Sequence, residues 1–295
     1  MNAKTGLNRG LDYSRAIEIA KGVFWVGYSD TLSGLHCNPY IIIDNDEAVV
    51  IDGGSRPDFP TVMMKILQTG IDPSRIKALI YQHYDPDLCG SIPNYEDIVS
   101  RADLKIISDA ENNIFIRHYS VTAPLISIDS LGYTYQFSSG RTLQFISTPY
   151  AHSPGSFVTF DQTSGILFTS DIFGSIGSYW ELYLELTEDC RSCTDLDSCP
   201  QEAHCPFQDI FNFHRVTMTS ERALGYALEQ IASVDFSILA PQHGSLIVTP
   251  RDIITLVEKL KTLKEIGIDW ILGHGQRPKT TRIDNMIQRL GGSLP

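Results

Sequence analysis

Apolar runs and polar breaks divide this chain into short strands and amphipathic helices. Val23–Tyr28 is apolar with β-branched and aromatic residues and predicts a strand. Tyr40–Ile43 and Ala48–Ile51 are apolar runs separated by Asp44, Asn45, Asp46 and Glu47, the pattern of a hairpin with a polar turn. Lys77–Gln82, Leu104–Ile107, Leu143–Ser147 and Phe236–Ala240 predict further strands, and Phe157–Phe160 with Ile166–Thr169 a second hairpin. Apolar residues at helical spacing mark Phe59–Thr69, with Gly70 to end it, and then Ser220–Ala232 and Pro250–Leu263. Strand-loop-helix units followed by hairpins and helices predict two sheets with helices packed outside them. No internal repeat or low-complexity tract interrupts this order. Residues 181–209 stand apart: rich in Cys, Asp and Glu and poor in apolar periodicity, they read as an insertion of the kind that carries function or a metal.

With 295 residues, the chain can bury one large α/β core. A net charge of −12 makes nucleic acid and anionic membranes poor partners. No apolar run is long enough to span a bilayer, and the N-terminal residues show no secretory pattern, so a cytoplasmic location is expected.

Chemistry-bearing residues sit where the apolar runs stop. His83, Asp85 and Asp87 follow KALIYQ; His152 follows the run ending at Ser147; Asp171 follows Leu167–Phe168; His243 follows Leu239–Ala240. Strand ends on one sheet edge can converge on one point. Three imidazoles and three carboxylates can then share two metal ions, with Asp171 as the natural bridge and three negative charges offsetting the cations' repulsion. A lone histidine after a strand is usually a surface or satisfied core residue, and His118, His204, His214 and His274 are read that way. Several strand-end positions in one chain argue for a site.

The series Asp52-Gly53-Gly54, His83-x-Asp85-x-Asp87, His152, Asp171 and Gln242-His243-Gly244 resembles the metallo-β-lactamase superfamily. Within it, His83-Tyr84-Asp85-Pro86-Asp87-Leu88-Cys89-Gly90, Thr148-Pro149 with His152, and Thr169-Ser170-Asp171 are most similar to the diiron core of flavodiiron proteins and the smaller oxygen-binding diiron proteins. The resemblance covers about residues 20–265 apart from the Cys-rich stretch. It implies a four-layer αβ/βα sandwich: a single domain over 1–295, with a Cys-rich insertion at 181–209 and a C-terminal extension at 266–295. It also implies that His83, Asp85 and His152 hold one iron and Asp87 and His243 the other, with Asp171 between. Hydrolases of the superfamily carry His where this chain has Asp85. A carboxylate there moves the site toward oxygen donors, which suit iron or manganese better than zinc.

The chain departs from the family at Leu88, where the motif has a further His. The second iron is then weakly held, or completed by another residue such as His36, or left with an open position for a small molecule.

Cys190, Cys193, Cys199 and Cys205 form a separate set spaced Cys-x2-Cys-x5-Cys-x5-Cys. Four thiolates fit a 4Fe–4S cluster or a structural zinc. The first three are similar to cluster-binding segments of gas-sensing regulators, which favours iron–sulfur and an electron relay in place of a flavin module. The functional expectation is a diiron redox protein that binds or reduces dioxygen, nitric oxide or peroxide. Its partners would be that small-molecule oxidant, an electron-donor protein and, as the family often dimerises, a second copy. A metal-dependent hydrolase and a non-enzymatic oxygen sensor are the alternatives.

Overall fold

The two hairpins seen in the sequence are the nuclei of two sheets. In this computed structural model, which describes residues 6–30, 32–120, 122–194 and 204–275, β3 (Tyr40–Asp44) and β4 (Glu47–Ile51) pair antiparallel through a turn in which Asn45 takes φ 53°. Positive φ is a conformation that Asn tolerates better than most residues. Around this hairpin, β1 (Ile17–Ala20), β2 (Val23–Trp25), β5 (Ile76–Ile80), β6 (Lys105–Ser108) and β7 (Leu125–Ser127) complete a seven-stranded sheet in sequential order. β4 to β7 run parallel. Such strands need crossovers, and α1 (Phe59–Gln68), the one-turn α2 (Pro86–Cys89), α3 (Ile92–Val99) and α4 (Ala110–Ile116) lie in them.

The second sheet has five strands in the order β12-β11-β10-β9-β8: β8 (Thr134–Gln136), β9 (Thr142–Ser147), β10 (Phe157–Asp161), β11 (Ile166–Phe168) and β12 (Ile238–Ala240). β11 pairs with β12 in parallel and the other neighbours pair antiparallel. Between β11 and β12 the chain runs through α5 (Glu188–Ser192), α6 (Pro206–Thr217) and α7 (Glu221–Ile231). α8 (Pro250–Lys261) and α9 (Ile268–His274) follow β12.

Three apolar clusters separate the layers. Trp25, Ile42, Ile80, Phe145, Phe157 and Phe168 fill the space between the sheets. Phe59, Val62, Ile92, Tyr95 and Leu79 pack the first sheet onto α1 and α3. Leu167, Val158, Phe207, Leu224, Leu228 and Leu256 pack the second sheet onto α6, α7 and α8. This is the four-layer αβ/βα sandwich.

Residues 182–186 differ from the expected excursion. Leu182, Tyr183, Leu184, Glu185 and Leu186 alternate; Leu182 and Leu186 are buried, and Leu246 N–H donates to the Leu182 carbonyl at 2.8 Å. The alternation was present in the sequence, but its acidic neighbours masked it. No helix of the described residues is long and apolar enough to cross a membrane.

One buried ion pair closes the β9–β10 hairpin. Arg141 Nε donates to Asp161 Oδ1 at 3.1 Å and its Nη2 to Oδ2, while Asp161 also accepts from Thr163 N–H at 3.2 Å. Asp161 is fully buried and Arg141 nearly so. Asp161→Ala leaves the guanidinium buried without its partner, a loss of about 3–5 kcal/mol. Urea unfolding will show a lower midpoint at unchanged slope.

Candidate metal centre

Each sequence-predicted ligand follows a strand end on one edge of the sandwich. After β5 the chain passes Gln82 and His83 and enters α2. Asp85 is the N-cap of α2 with extended backbone, and Pro86 pre-sets the first helical residue. An N-cap Asp normally accepts from the helix's first N–H groups. Asp85 makes no such bond, and its carboxylate instead faces His83 Nε2 at 3.8 Å and His152 Nε2 at 3.5 Å. Asp87 lies one residue into the turn and faces His243 Nε2 at 3.1 Å. His152 sits in the tight loop between β9 and β10, held by Thr148 N–H to Ser156 O (2.8 Å) and Tyr150 N–H to Ser153 O (2.8 Å).

Asp171 is the centre of the group. It is 3% exposed. Its Oδ2 is 2.9 Å from His152 Nε2, and its Oδ1 is 3.9 Å from both His83 Nε2 and His243 Nε2. Ligand-type atoms of His83, His152 and Asp171 lie within 4.8 Å of one another, and those of Cys37, Asp87 and His243 form a second such group.

The edge is held together by three buried amides that the sequence did not single out. Gln82 donates through Nε2 to Phe168 O at 2.8 Å and accepts at Oε1 from Ser170 N–H at 3.1 Å, tying the end of β5 to the end of β11. Asn38 donates to Pro241 O at 2.9 Å and Gly244 O at 2.8 Å, and accepts from Trp25 Nε1 at 2.8 Å, tying the start of β3 to the His243 loop. Asn112 Nδ2 donates to Gly155 O at 2.7 Å and steadies the loop of His152. Ser170, immediately before the central carboxylate, takes φ 53°. Its hydroxyl lies 3.0 Å from His83 Nδ1, which leaves His83 Nε2 facing the group.

Among the described residues, His83 Nε2 and Asp171 Oδ1 are buried there without a hydrogen-bond partner, as is Gln242 Oε1 beside them. Buried polar atoms are rarely left so, and His83 Nε2 and Asp171 Oδ1 lie 3.9 Å from each other within the ligand group. Charge tells the same story. Burial would raise the Asp171 pKa, but His83, His152 and His243 hold it well below the usual carboxylate range. Burial opposes charge on His152, yet Asp171 carries its pKa up to about 9. His243 is also raised, against burial, by Cys37 and Asp87. His83 is lowered, chiefly by burial. The pocket therefore draws positive charge, and its oxygen and nitrogen donors fit a pair of cations.

Other predicted residues fall elsewhere. Leu88 is fully buried in the cluster with Tyr81 and Ile92. His36 does not join the group: its Nδ1 accepts from Asp30 N–H at 2.9 Å, its Nε2 lies 3.0 Å from Gly177 O, and its ring stacks on Trp180. Its backbone carbonyl, however, is 3.3 Å from His243 Nδ1. The aromatic residues next to the ligands in sequence do not gather as a set: Phe168 and Phe173 are core residues, Tyr84 packs against Phe115 with ring centroids 4.4 Å apart, and Tyr150 is 56% exposed. Cys190 and Cys205 are buried in the cluster under α6 to α8, and Cys193 is half-buried. Among the described residues these three do not form a further ligand group; Cys199 lies outside the described residues. Cys37, buried beside His243, is the residue that sequence reading passed over.

A family model described as ODP family beta lactamase matches residues 35–244. This chain belongs to that family. Among curated proteins, the ODP-family chain is 26% identical over 259 residues to type A flavoprotein fprA of Rhodobacter capsulatus, covering 83% of this chain and 55% of that protein. It is 24% identical to coenzyme F420H(2) oxidase of Methanocaldococcus jannaschii, over 85% of this chain and 61% of that one. The chain thus spans little more than half the length of these curated relatives. Its fold matches the chemotaxis sensor ODP, solved as a peroxy diiron species, with TM-score 0.68 and 23% identity over 88% of this chain and 98% of that one.

His214, read from sequence as an ordinary histidine, is a satisfied core residue with a task at this edge. Its ring lies 2.7 Å from Ile210 O through Nδ1 and accepts Phe173 N–H at Nε2 over 3.1 Å. Burial lowers its pKa to about 4. The unfolded chain protonates this group near pH 6.5 and the folded chain only near 4, so its contribution is lost as pH falls between the two. In chelator-treated protein, the stability difference between wild type and His214→Gln should therefore shrink by about 3 kcal/mol from pH 7 to pH 4. Paired urea titrations measure it, and a difference independent of pH would show that His214 is not held neutral.

Proposed function

We propose that this ODP-family chain is a non-haem diiron redox protein that binds or reduces dioxygen, nitric oxide or peroxide. The observation that carries the reading is Asp171, a buried carboxylate with one oxygen equidistant from His83 and His243, on either side of which the other donors divide. His83, Asp85 and His152 would hold one iron, Asp87 and His243 the other, and Asp171 both. Two ferrous ions held by these residues would supply an electron pair and a place for a diatomic ligand.

The protein's own part is orientation and shelter. Ser170 and the His36 carbonyl fix the rings of His83 and His243 from behind, so that Nε2 of each faces inward. Phe213 packs against His243, with ring centroids 5.5 Å apart. Leu88 brings no donor to the Asp87–His243 side. Asp85 supports iron over the zinc of a hydrolase, because it adds an oxygen donor to the His83–His152 side. The proteins named above, a flavoprotein, an oxidase and a chemotaxis sensor solved as a peroxy diiron species, support the same reading. For the electron supply we propose the Cys190, Cys193, Cys199 and Cys205 set as an iron–sulfur cluster, on its spacing alone, with a separate donor protein feeding it.

Anaerobically purified protein should contain two irons at the centre and show an absorption band that changes on exposure to oxygen. Asp171→Ala should bind less than one iron. Zinc with no visible absorption would replace this reading with the hydrolase. Catalytic consumption of oxygen with a reductant marks a reductase, and stoichiometric binding without turnover marks a sensor.

The same geometry separates His36 from His243. His36→Ala should retain both irons, whereas His243→Ala should lose one, as read by metal analysis after gel filtration. Loss of one iron from His36→Ala would restore His36 to the ligand set.

A further inference from the structure

The two halves of the centre are unequally furnished. The His83 side has two imidazoles and Asp85, besides the shared Asp171. The Asp87 side has one imidazole, because Leu88 turns into the apolar cluster under α1 and α3.

Cys37 reaches this poorer side through the backbone. Cys37 and His243 face each other across an isolated antiparallel bridge. The hydrogen bonds of that bridge run from Asn38 N–H to Gln242 O (2.8 Å) and from Gly244 N–H to His36 O (3.3 Å). They flank the facing pair rather than join it. In such a pair the Cα atoms are about 4.5 Å apart and the two side chains lie close together on one face. The Cys37 sulfur lies beside the His243 ring on its Nδ1 edge, the edge that also faces the His36 carbonyl, and within reach of Asp87. Cys37 Sγ is 3.8 Å from His243 Nδ1, and donor atoms of Cys37, Asp87 and His243 fall within 4.8 Å of one another. Cys37 is 2% exposed.

We propose that Cys37 is a thiolate ligand of the second cation, beside Asp87, His243 and the shared Asp171. This rests on the diiron reading above. On metal binding the thiol proton leaves to solvent and a metal–sulfur bond forms, with no change of oxidation state. Charge supports the assignment. Asp85, Asp87 and Asp171 supply three negative charges, and a thiolate makes four, which balances two divalent cations in a buried place where imbalance is costly. The sulfur also makes the two positions chemically unlike. The His83 side is nitrogen and oxygen only, while the Cys37 side is softer and tolerates zinc or cobalt more readily. The competing roles for Cys37 are packing and a sulfur contact to His243 Nδ1 that only orients the ring.

Cobalt(II) tests this on the full chain, because its absorption reports sulfur ligation without turnover. Wild type loaded anaerobically with cobalt should show an intense near-ultraviolet sulfur-to-cobalt band. X-ray absorption at the cobalt edge should show a sulfur neighbour at about 2.3 Å, the distance of zinc thiolates. Cys37→Ser should lose both signals, keep the first cobalt, and bind the second at least about tenfold more weakly, or 1.4 kcal/mol. All comparisons are made in a Cys190→Ser/Cys193→Ser background, so that the Cys-rich set contributes no sulfur signal of its own, and in that background the signals should remain with Cys37 present. Two cobalts with only nitrogen and oxygen neighbours, or a sulfur signal that survives in Cys37→Ser, overturn the role of Cys37 and leave the dimetal centre standing. A chain that takes up no cobalt overturns the centre and Cys37 together.

Discussion

A carboxylate buried among three imidazoles is the interaction on which this edge of the molecule depends. An ionised group out of water costs several kcal/mol unless positive charge and hydrogen bonds meet it. Asp171 is met by His83, His152 and His243 from three separate loops, and its partnerless oxygen still faces inward. Protonated imidazoles can offset that charge, which is why His152 and His243 hold their protons so firmly. A cation does it better, since it engages all the carboxylates at once. The fold around the site therefore keeps like charges close together, a configuration that bound cations would relieve further.

Keeping them close is the work of neutral groups. Gln82 and Asn38 each bridge the two sheets with hydrogen bonds to backbone, and both are essentially inaccessible to water. Buried amides satisfied in this way set register as well as adding energy, because a slip of one residue would leave several donors unpaired. The register they set brings Ser170 behind His83 and the His36 carbonyl behind His243. Positive φ at Asp52, Tyr150, Ser170 and Phe173 gathers at the same edge. Strain of that kind persists only where surrounding contacts over-determine it: Gln82 holds Asp52 and Ser170, Ser153 holds Tyr150, and His214 holds Phe173.

Much of this was legible in the sequence, and the remainder was hidden for identifiable reasons. The hairpins and the helices at 59–68, 221–231 and 250–261 carry clean periodicity, and they are present within a residue or two of where the pattern put them. The ligand-type residues were legible because each interrupts an apolar run at a strand end. β1, β7 and β8 were missed, being three or four residues long and partly exposed, too short for alternation to register. α6 was missed because Phe207, Phe211, Phe213 and His214 follow a Cys-rich, acidic context that reads as loop. Gln82 and Asn38 could not have been found from type alone, since an amide beside a strand is common and only its cross-sheet partners make it structural. Cys37 was hidden by the same logic in reverse: alone in sequence, it acquires neighbours only when the His243 loop folds back onto it.

Leu88 and Cys37 belong to one argument. An imidazole at position 88 would have to leave the cluster of Tyr81, Cys89 and Ile92, opening a cavity there, to approach Asp87 from the α2 side. Leucine keeps that cluster closed and gives up a donor. The bridge between Cys37 and His243 offers a donor from the opposite direction, on backbone already fixed by Asn38, with little rearrangement. A sulfur there changes more than the count. Imidazole is a neutral ligand, so exchanging it for thiolate adds a full negative charge beside one cation and not the other. Two metals in such a cage differ in the charge they are given, and the one with the higher negative charge around it is the easier to oxidise. The asymmetry that begins with one apolar side chain in a buried turn is thus carried to the electronic character of the centre itself.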